Sequence, residues 1–405
     1  MLITALVTIV VAAFIVEALL DYLNDANADS PLDPAIKDLY DSKERQRSIS
    51  YAHQRYQLGL ISSTASIAVM VLALTQGWFG RLDTWAHSTT SNSILVSLLF
   101  IGSLSLISWL IGLPFAIYGT FVIEERFGFN RTTPKTFVTD TIKGAGVSVL
   151  IAGPLLAAVV WLYQRFGSGF WIYAWALVVA FSLFMFMFGT SVILPLFNKL
   201  TPLEDGPLKK AILSYCDSQG YKVNRLFVMD GSRRSTKANA FFSGMGKSKM
   251  IVLFDTLIEK LTVEEVVAVL AHEIGHYRLK HTKQMFIAST LQTAAIFALL
   301  GWSLQFDSFA SALGASAISF HISALVFFIL LTPANIVLGL ANNSLSRRNE
   351  FGADAFAKQT YKVAPMKSAL RKISTASLSN LTPHPLYVAF NYTHPPLVSR
   401  LKALE

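Results

Sequence analysis

The sequence predicts a mainly α-helical integral membrane protein, with seven transmembrane helices and a cytoplasmic α+β unit bearing a small β-sheet. Three observations predict it. The 405 residues are 53% hydrophobic and only 15% charged, with a mean hydropathy of +0.48, too apolar for an ordinary soluble domain. Seven apolar stretches are long enough to cross a bilayer. Of the 34 Lys and Arg residues, 32 fall in alternate connections between those stretches, as on one side of a membrane.

The stretches are 2–20, 56–78, 94–123, 144–163, 170–197, 285–304 and 320–340. The third and fifth exceed the minimum length, which predicts tilt or extension beyond the bilayer. Connections 21–55, 124–143, 198–284 and 341–405 carry the basic residues, whereas 79–93 and 164–169 hold Arg81 and Arg165 alone and 305–318 holds none. The positive-inside rule therefore puts the basic side and the C-terminus in the cytoplasm and the N-terminus outside. No basic residue precedes the first apolar run, and removing that run would strand the basic segment 21–55 outside, so it reads as a span and not a cleaved leader. The net charge of +9 is then a topology signal, and without basic–aromatic interleaving it excludes nucleic acid as a partner. The single cysteine, Cys216, excludes an internal disulfide and argues against thiolate metal sites.

The chain divides accordingly into 1–197 (spans one to five), 198–284 (an aqueous segment), 285–340 (spans six and seven) and 341–405 (a second aqueous segment). Within the first aqueous segment, residues 203–218 have helical periodicity through Leu208, Ile212, Leu213 and Cys216. Three β-prone runs follow at 225–229, 238–243 and 250–254, separated by turn material at Asp230-Gly231 and 244–249. Asn239, Ala240, Phe241 and Phe242 suit an edge strand that pairs with an extended peptide. An ordinary core hairpin suits the same pattern equally well.

The sheet leads into His272-Glu273-Ile274-Gly275-His276, the pattern H-E-x-x-H. On a helix, residues four apart project from one face one turn apart, so His272 and His276 can grip one Zn²⁺ while Glu273 reaches a water beside it. An unmetallated surface helix would leave the flanks unexplained: acidic Glu264 and Glu265 open the segment, an apolar face follows through Val266, Val267, Val269 and Leu270, and Arg278, Lys280, His281 and Lys283 close it. Two histidines need a third ligand. In Asn349-Glu350-Phe351-Gly352-Ala353-Asp354, one helical face would offer Glu350 to the metal and let Asp354 hold the far nitrogen of a ligating histidine. His281 and His384 fall in no ligand spacing and read as surface or structural residues.

His272–His276, Ser346-Arg347-Arg348-Asn349-Glu350 with Ala353-Asp354, and Asn391-Tyr392-Thr393-His394-Pro395-Pro396 before Arg400 together resemble the type I CAAX prenyl endopeptidase family. These are integral-membrane zinc metalloproteases that trim prenylated C-a-a-X tails. Asn239-Ala240 and Ile251–Leu257 match the same family, and the resemblance covers essentially the whole chain. It implies a barrel of seven helices enclosing a chamber, capped on the cytoplasmic side by a zincin-like catalytic domain. It also implies one Zn²⁺ on His272, His276 and Glu350, Glu273 as general base and then acid, and Asp354 behind the ligands. His394 and Arg400 would stabilise the oxyanion and organise the site. The expected partners are a peptide or protein substrate, prenylated or simply hydrophobic, and membrane lipid.

The compact chain suggests a bacterial member in an inner membrane; a eukaryotic member would sit in the endoplasmic reticulum. Quality control of membrane proteins, without prenyl specificity, is the alternative function. A heat-shock-type membrane protease would have about four spans, and a site-2-type protease would bury its motif in an apolar run, which the charges around 272–276 exclude. A non-enzymatic seven-helix protein has no need of His272, Glu273, His276 and Glu350 in this arrangement.

Overall fold

The computed structural model describes residues 1–405 apart from 224, 244–249 and 316–318, and the side chains of 241–243 are likewise left out of the account. The membrane part begins with α1 (Leu2–Ala26), α2 (Ser42–Thr75), a short α3 (Trp78–Thr89), α4 (Ser93–Tyr118), α5 (Pro134–Phe166) and α6 (Phe170–Phe197). The first aqueous segment contains β1 (Leu200–Pro202), α7 (Pro207–Ser218), β2 (Arg225–Met229), β3 (Ala240–Ser243), β4 (Met250–Phe254), α8 (Asp255–Lys260) and α9 (Val263–Arg278). Then come α10 (His281–Ser303), α11 (Asp307–Ala312), α12 (Phe320–Leu330), α13 (Thr332–Thr360), α14 (Val363–Ala376), α15 (Pro385–Asn391) and α16 (Leu397–Ala403).

Among the described residues, five stretches are helical and apolar enough to cross a bilayer: Leu2–Asp29, Ser42–Thr75, Ser93–Glu124, Pro134–Phe197 and His281–Ser303. The pair α12–α13 makes a sixth if taken as one broken span, bent by 58°. The bend falls just before Pro333, whose ring removes a backbone donor in the first turn of α13. So the expected span over 320–340 is two helices, and α13 carries on well beyond it. The stretch Pro134–Phe197 is not one rod but two: α5 and α6 turn at Gly167, where φ is +54°, and pack on each other. Neighbouring helices form a closed ring. α1 packs on α2, α2 on α4, α4 on α5, α5 on α6, α6 on α10, α10 on α12, and α12 returns to α1. Only 6–17% of the residues in the five apolar windows are buried, so these helices stand as staves and not as a solid bundle.

One end of the ring is plugged. Phe79, Phe100, Phe170, Phe309, Leu313 and Phe320 form a buried apolar cluster there. A buried polar chain crosses it: the Nε2 atom of His321 on α12 lies 2.7 Å from Asp83 on α3, and its Nδ1 lies 3.1 Å from the Ser97 hydroxyl on α4. Both ring nitrogens are satisfied, which is what lets a histidine sit in an apolar interior.

At the opposite end the sheet runs β1-β2-β4-β3. β2 and β4 are parallel, with Arg225 opposite Met250, while β1 and β3 are antiparallel to their neighbours. The three expected strands are present, β1 is an addition, and β3 is an edge, bonded to β4 on one side. The turn expected over 244–249 lies outside the described residues. The inner strand β4 is almost wholly buried because both its faces are covered. It leads through α8 into α9, whose N-terminus is a reciprocal cap: Glu265 N–H donates to Thr262 Oγ1, and Thr262 N–H donates to Glu265 Oε2 at 2.8 Å. Glu265 is itself buried, and Ser368 and Lys372 of α14 donate to it at 2.6 and 2.8 Å. A capping residue thus also docks α14.

The tightest helix crossing in this domain is α9 on α13. A Cβ built at Gly275 would lie 3.0 Å from Ala353 Cα, 3.1 Å from Ala353 O and 3.2 Å from Phe356 Cβ. Two of these are backbone atoms that cannot swing aside as a side chain can, so any larger residue would force the helices apart by a few tenths of an ångström. Gly275→Ala is expected to lower stability by about 1–3 kcal/mol, measured as a fall in the thermal unfolding midpoint of the detergent-solubilised protein; an unchanged midpoint would mean that the two helices separate freely.

Candidate metal centre

α9 and α13 meet at this crossing with His272 and His276 on one and Glu350 and Asp354 on the other. His272, Glu350 and Asp354 are buried. His272 Nε2 lies 3.3 Å from Glu350 Oε2, His276 Nε2 lies 3.2 Å from Glu350 Oε1, and the two Nε2 atoms are 3.2 Å apart. Ligand atoms about 2.0–2.1 Å from a tetrahedral cation are about 3.3 Å from one another, so these separations fit a single cation at their centre. Among the described residues this trio is the group that brings His, Cys, Asp or Glu ligand atoms close enough to share an ion. Glu350 Oε2 is buried with no hydrogen-bond partner, a cost that a cation would remove.

The ring of His272 is held from behind. Its Nδ1–H faces Asp354 Oδ1 at 2.7 Å, and Arg400 forks onto Asp354 through Nη2 at 2.7 Å and Nε at 2.8 Å. Arg400 therefore acts on the site through Asp354, and its Nη1 lies 3.9 Å from Glu350. Burial opposes the charge on Asp354, but Arg400 and His272 outweigh it and hold its carboxyl below the ordinary value. Glu273 lies on the same helix, one residue on from the first histidine. Burial raises its carboxyl above the usual range, and His272 and His276 pull it partly back, which suits a base that must later release its proton.

The exposed His394 stands on a loop between α15 and α16, its Nε2 3.3 Å from Glu350 Oε1 and its Nδ1 2.9 Å from the Thr393 hydroxyl. That loop is fastened to α13 by Arg347, whose Nη1 donates to the carbonyls of Val388, Ala389 and Tyr392 at 2.9, 3.1 and 2.7 Å. The arginine three residues before Glu350 thus places a histidine 47 residues further along the chain. On the sheet, Asn239 leads into β3, its side-chain oxygen accepting from Ala240 N–H at 2.9 Å. Ala240 and Phe241 pair with Leu253 and Val252 on β4, leaving the other edge of β3 without a strand neighbour among the described residues.

The structure brings together His272, His276, Glu350, Glu273, Asp354, His394 and Arg400, drawn from segments up to 128 residues apart. It also adds one residue that spacing alone passed over: His281, expected at the surface or in a purely structural role, is buried with its Nδ1 3.1 Å from Nδ1 of His276.

A polytopic helical ring carrying a His-His-Glu cluster beside a half-buried glutamate defines a membrane metallopeptidase. Residues 21–199 match the CAAX prenyl protease N-terminal family, described as five membrane helices, and residues 202–405 match peptidase family M48. The chain belongs to this family of membrane metalloproteases. It is 37% identical to CAAX prenyl protease 1 homolog of Oryza sativa over 89% of this chain and 87% of the relative. It is 33% identical to CAAX prenyl protease 1 of Saccharomyces cerevisiae over 98% and 93%, and 32% identical to the human homolog over 92% and 88%. The crystal structure of S. mikatae Ste24p superposes with a TM-score of 0.96 at 32% identity, covering 100% of this chain and 99% of that one. These relatives are eukaryotic and nearly as compact, so the chain's length does not mark it as bacterial, and that expectation is withdrawn.

In the absence of a cation, burial opposes protonation of His272, but Asp354 and Glu350 outweigh it and push the imidazole up to about 9. The Nε2 proton must leave before a metal can bind. The raised value means that the proton is held below pH 9, so acid competes with the metal. Apparent metal affinity is expected to fall about tenfold per pH unit below pH 9, with about one proton released per ion. Calorimetric titration in buffers of different ionisation enthalpy reads both, and a pH-independent affinity between 6 and 8 would contradict the assignment.

Proposed function

We propose that this protein is a zinc-dependent CAAX-type prenyl endopeptidase that hydrolyses peptide bonds near the C-terminus of prenylated substrates. The observation that carries the reading is the His272-His276-Glu350 trio, with the two Nε2 atoms 3.2 Å apart and each 3.2–3.3 Å from an oxygen of the carboxylate, and Glu273 beside it. Two imidazoles and a carboxylate suit Zn²⁺. The names of its relatives support a C-a-a-X substrate.

When bound, the zinc would supply Lewis acidity to a carbonyl oxygen and lower the pKa of a water. The remaining work belongs to this chain. Glu273 accepts a proton from the attacking water as its oxygen bonds to the scissile carbonyl carbon. The same carboxyl then hands that proton to the departing amine nitrogen as the C–N bond breaks, ending as the carboxylate it began as. His394 Nε2–H donates to the carbonyl oxygen as negative charge grows there. Asp354 and Arg400 keep His272 in the tautomer that presents Nε2 to the centre. Asn239, Ala240 and Phe241 offer the edge of β3 that has no strand neighbour among the described residues to an extended peptide, which would align the substrate by main-chain hydrogen bonds.

We further propose seven crossings, counting α5 and α6 separately and the bent pair α12–α13 as one, that wall a chamber capped by a zincin-like domain. The closed order of helix neighbours and the small buried share of each helix support it. The concentration of basic residues at the catalytic end supports an active site facing the cytoplasm, and eukaryotic relatives favour an endoplasmic reticulum membrane.

Glu273→Ala is expected to retain about one zinc per chain while losing 10²–10⁴-fold in turnover of a prenylated peptide, read by elemental analysis alongside a cleavage assay. Full activity in that variant would remove the proposed base. Equal cleavage of prenylated and unprenylated peptides by the wild type would instead favour a quality-control protease on the same metal chemistry. His394→Ala should lower turnover about 10²–10³-fold with little change in KM; a change confined to KM would reassign His394 to substrate binding.

A further inference from the structure

His281 has no role in the chemistry set out above, yet it is built into the centre. Each ligating histidine turns Nε2 inward, so each has an Nδ1–H pointing outward that needs an acceptor. For His272 that acceptor is Asp354. For His276 the atom in reach is Nδ1 of His281, 3.1 Å away, with the two rings edge-on at a centroid distance of 5.1 Å and an interplanar angle of 75°. Two Nδ1 atoms at that distance cannot both carry hydrogens. If the Nε2 lone pair of His276 is to face a cation, its proton sits on Nδ1, and His281 must be the acceptor.

Two backbone features allow this contact. On an uninterrupted helix, residue 281 would lie about 140° around the axis from residue 276 and point away from it. The chain avoids that by ending α9 at Arg278 and placing Lys280 in the left-handed region at φ +60°, an uncommon conformation for a residue with a side chain. This reverses the path and starts α10 with His281 folded back against His276. On the other side the ring lies on α13 at Gly352, between Glu350 and Asp354. A Cβ at Gly352 would come within 3.2 Å of His281 Cε1 and 3.4 Å of its Nε2, so the glycine leaves room for the ring.

We propose that His281 is a positioning residue for the metal centre: it accepts the Nδ1–H of His276 and thereby holds that ligand's tautomer and ring orientation. The two ligands are then backed unequally, His272 by a carboxylate tied to Arg400 and His276 by a neutral imidazole. A second anionic backing group would add charge to a site that already holds Glu350 and Asp354, and would blunt the cation's pull on substrate oxygen.

The inference rests on the metal centre proposed above, and one experiment separates the two. Full-length protein in detergent is stripped of metal, and Zn²⁺ affinity is measured by competition with a chromophoric chelator, with the Co²⁺ visible spectrum as a second readout. His281→Leu keeps the bulk but offers no acceptor, whereas His281→Asn puts an oxygen near the position of Nδ1. The leucine variant is expected to bind Zn²⁺ about 10–100-fold more weakly with an altered Co²⁺ spectrum, and the asparagine variant to recover most of both. Wild-type affinity and spectrum in His281→Leu would overturn the proposal, as would equal impairment of the two variants. Should the leucine variant fail to fold, Gly352→Ala, which crowds the ring from α13, is expected to weaken Zn²⁺ binding in the same way, and unchanged binding there would also overturn it. A wild-type protein that binds no Zn²⁺ would sink the centre itself.

Discussion

The close approach of α9 and α13 at Gly275 and Ala353 is the constraint on which the rest of the structure depends. Gly275 directly precedes His276, and Ala353 directly precedes Asp354. The absent Cβ at Gly275 lets one backbone lie against the other, so a carboxylate side chain from α13 reaches two imidazoles on α9. A side chain at Gly275 would press on the backbone of Ala353 and push the two helices apart just where the ligands meet. Packing at this pair of small residues thus sets how closely the two ligand-bearing helices approach.

Around that crossing, each reactive group is oriented by a second one drawn from elsewhere in the chain. Asp354 steers His272, Arg400 steers Asp354, His281 faces His276, and Arg347 secures the loop of His394. Buried hydrogen-bonded groups of this kind hold their partners in one rotamer because every alternative leaves a polar atom unpaired in an apolar surround. The same rule governs the far end of the ring, where Asp83, His321 and Ser97 join three helices inside an apolar plug.

The membrane helices serve that cap in a definite way. α10 starts at His281, immediately after the turn at Lys280, and α13 runs unbroken from the bend near Pro333 to Thr360 through Glu350 and Asp354. The catalytic helices are therefore continuous with, or one turn removed from, the staves of the ring. The polar contacts Lys237–Glu124 and Arg234–Asp140, at 2.9 and 2.7 Å, fasten the segment leading to β3 onto the same ring. The catalytic domain is thus joined to the helical ring by side-chain contacts as well as by the chain itself.

Much of this was legible in the residues. The H-E-x-x-H spacing, the E-x-x-x-D that brings Glu350 and Asp354 to one helical face, the three strands and most of the apolar stretches are local patterns, set by helical and strand periodicity within a few residues, and the structure has helices and strands at those places. The bend between α12 and α13 and the short β1 strand were not legible, since neither leaves a pattern longer than a proline or a tripeptide. His281 was passed over for a different reason: its contact with His276 depends on one residue, Lys280, adopting a left-handed conformation that no spacing rule anticipates. The sequence by itself determined which side chains could bind a metal and which segments could enter lipid, because those properties belong to residues and their immediate neighbours. Only the tertiary structure decided which of those side chains meet and what stands behind them, because the groups come from segments up to 128 residues apart and are joined by packing between helices, a property of no single segment.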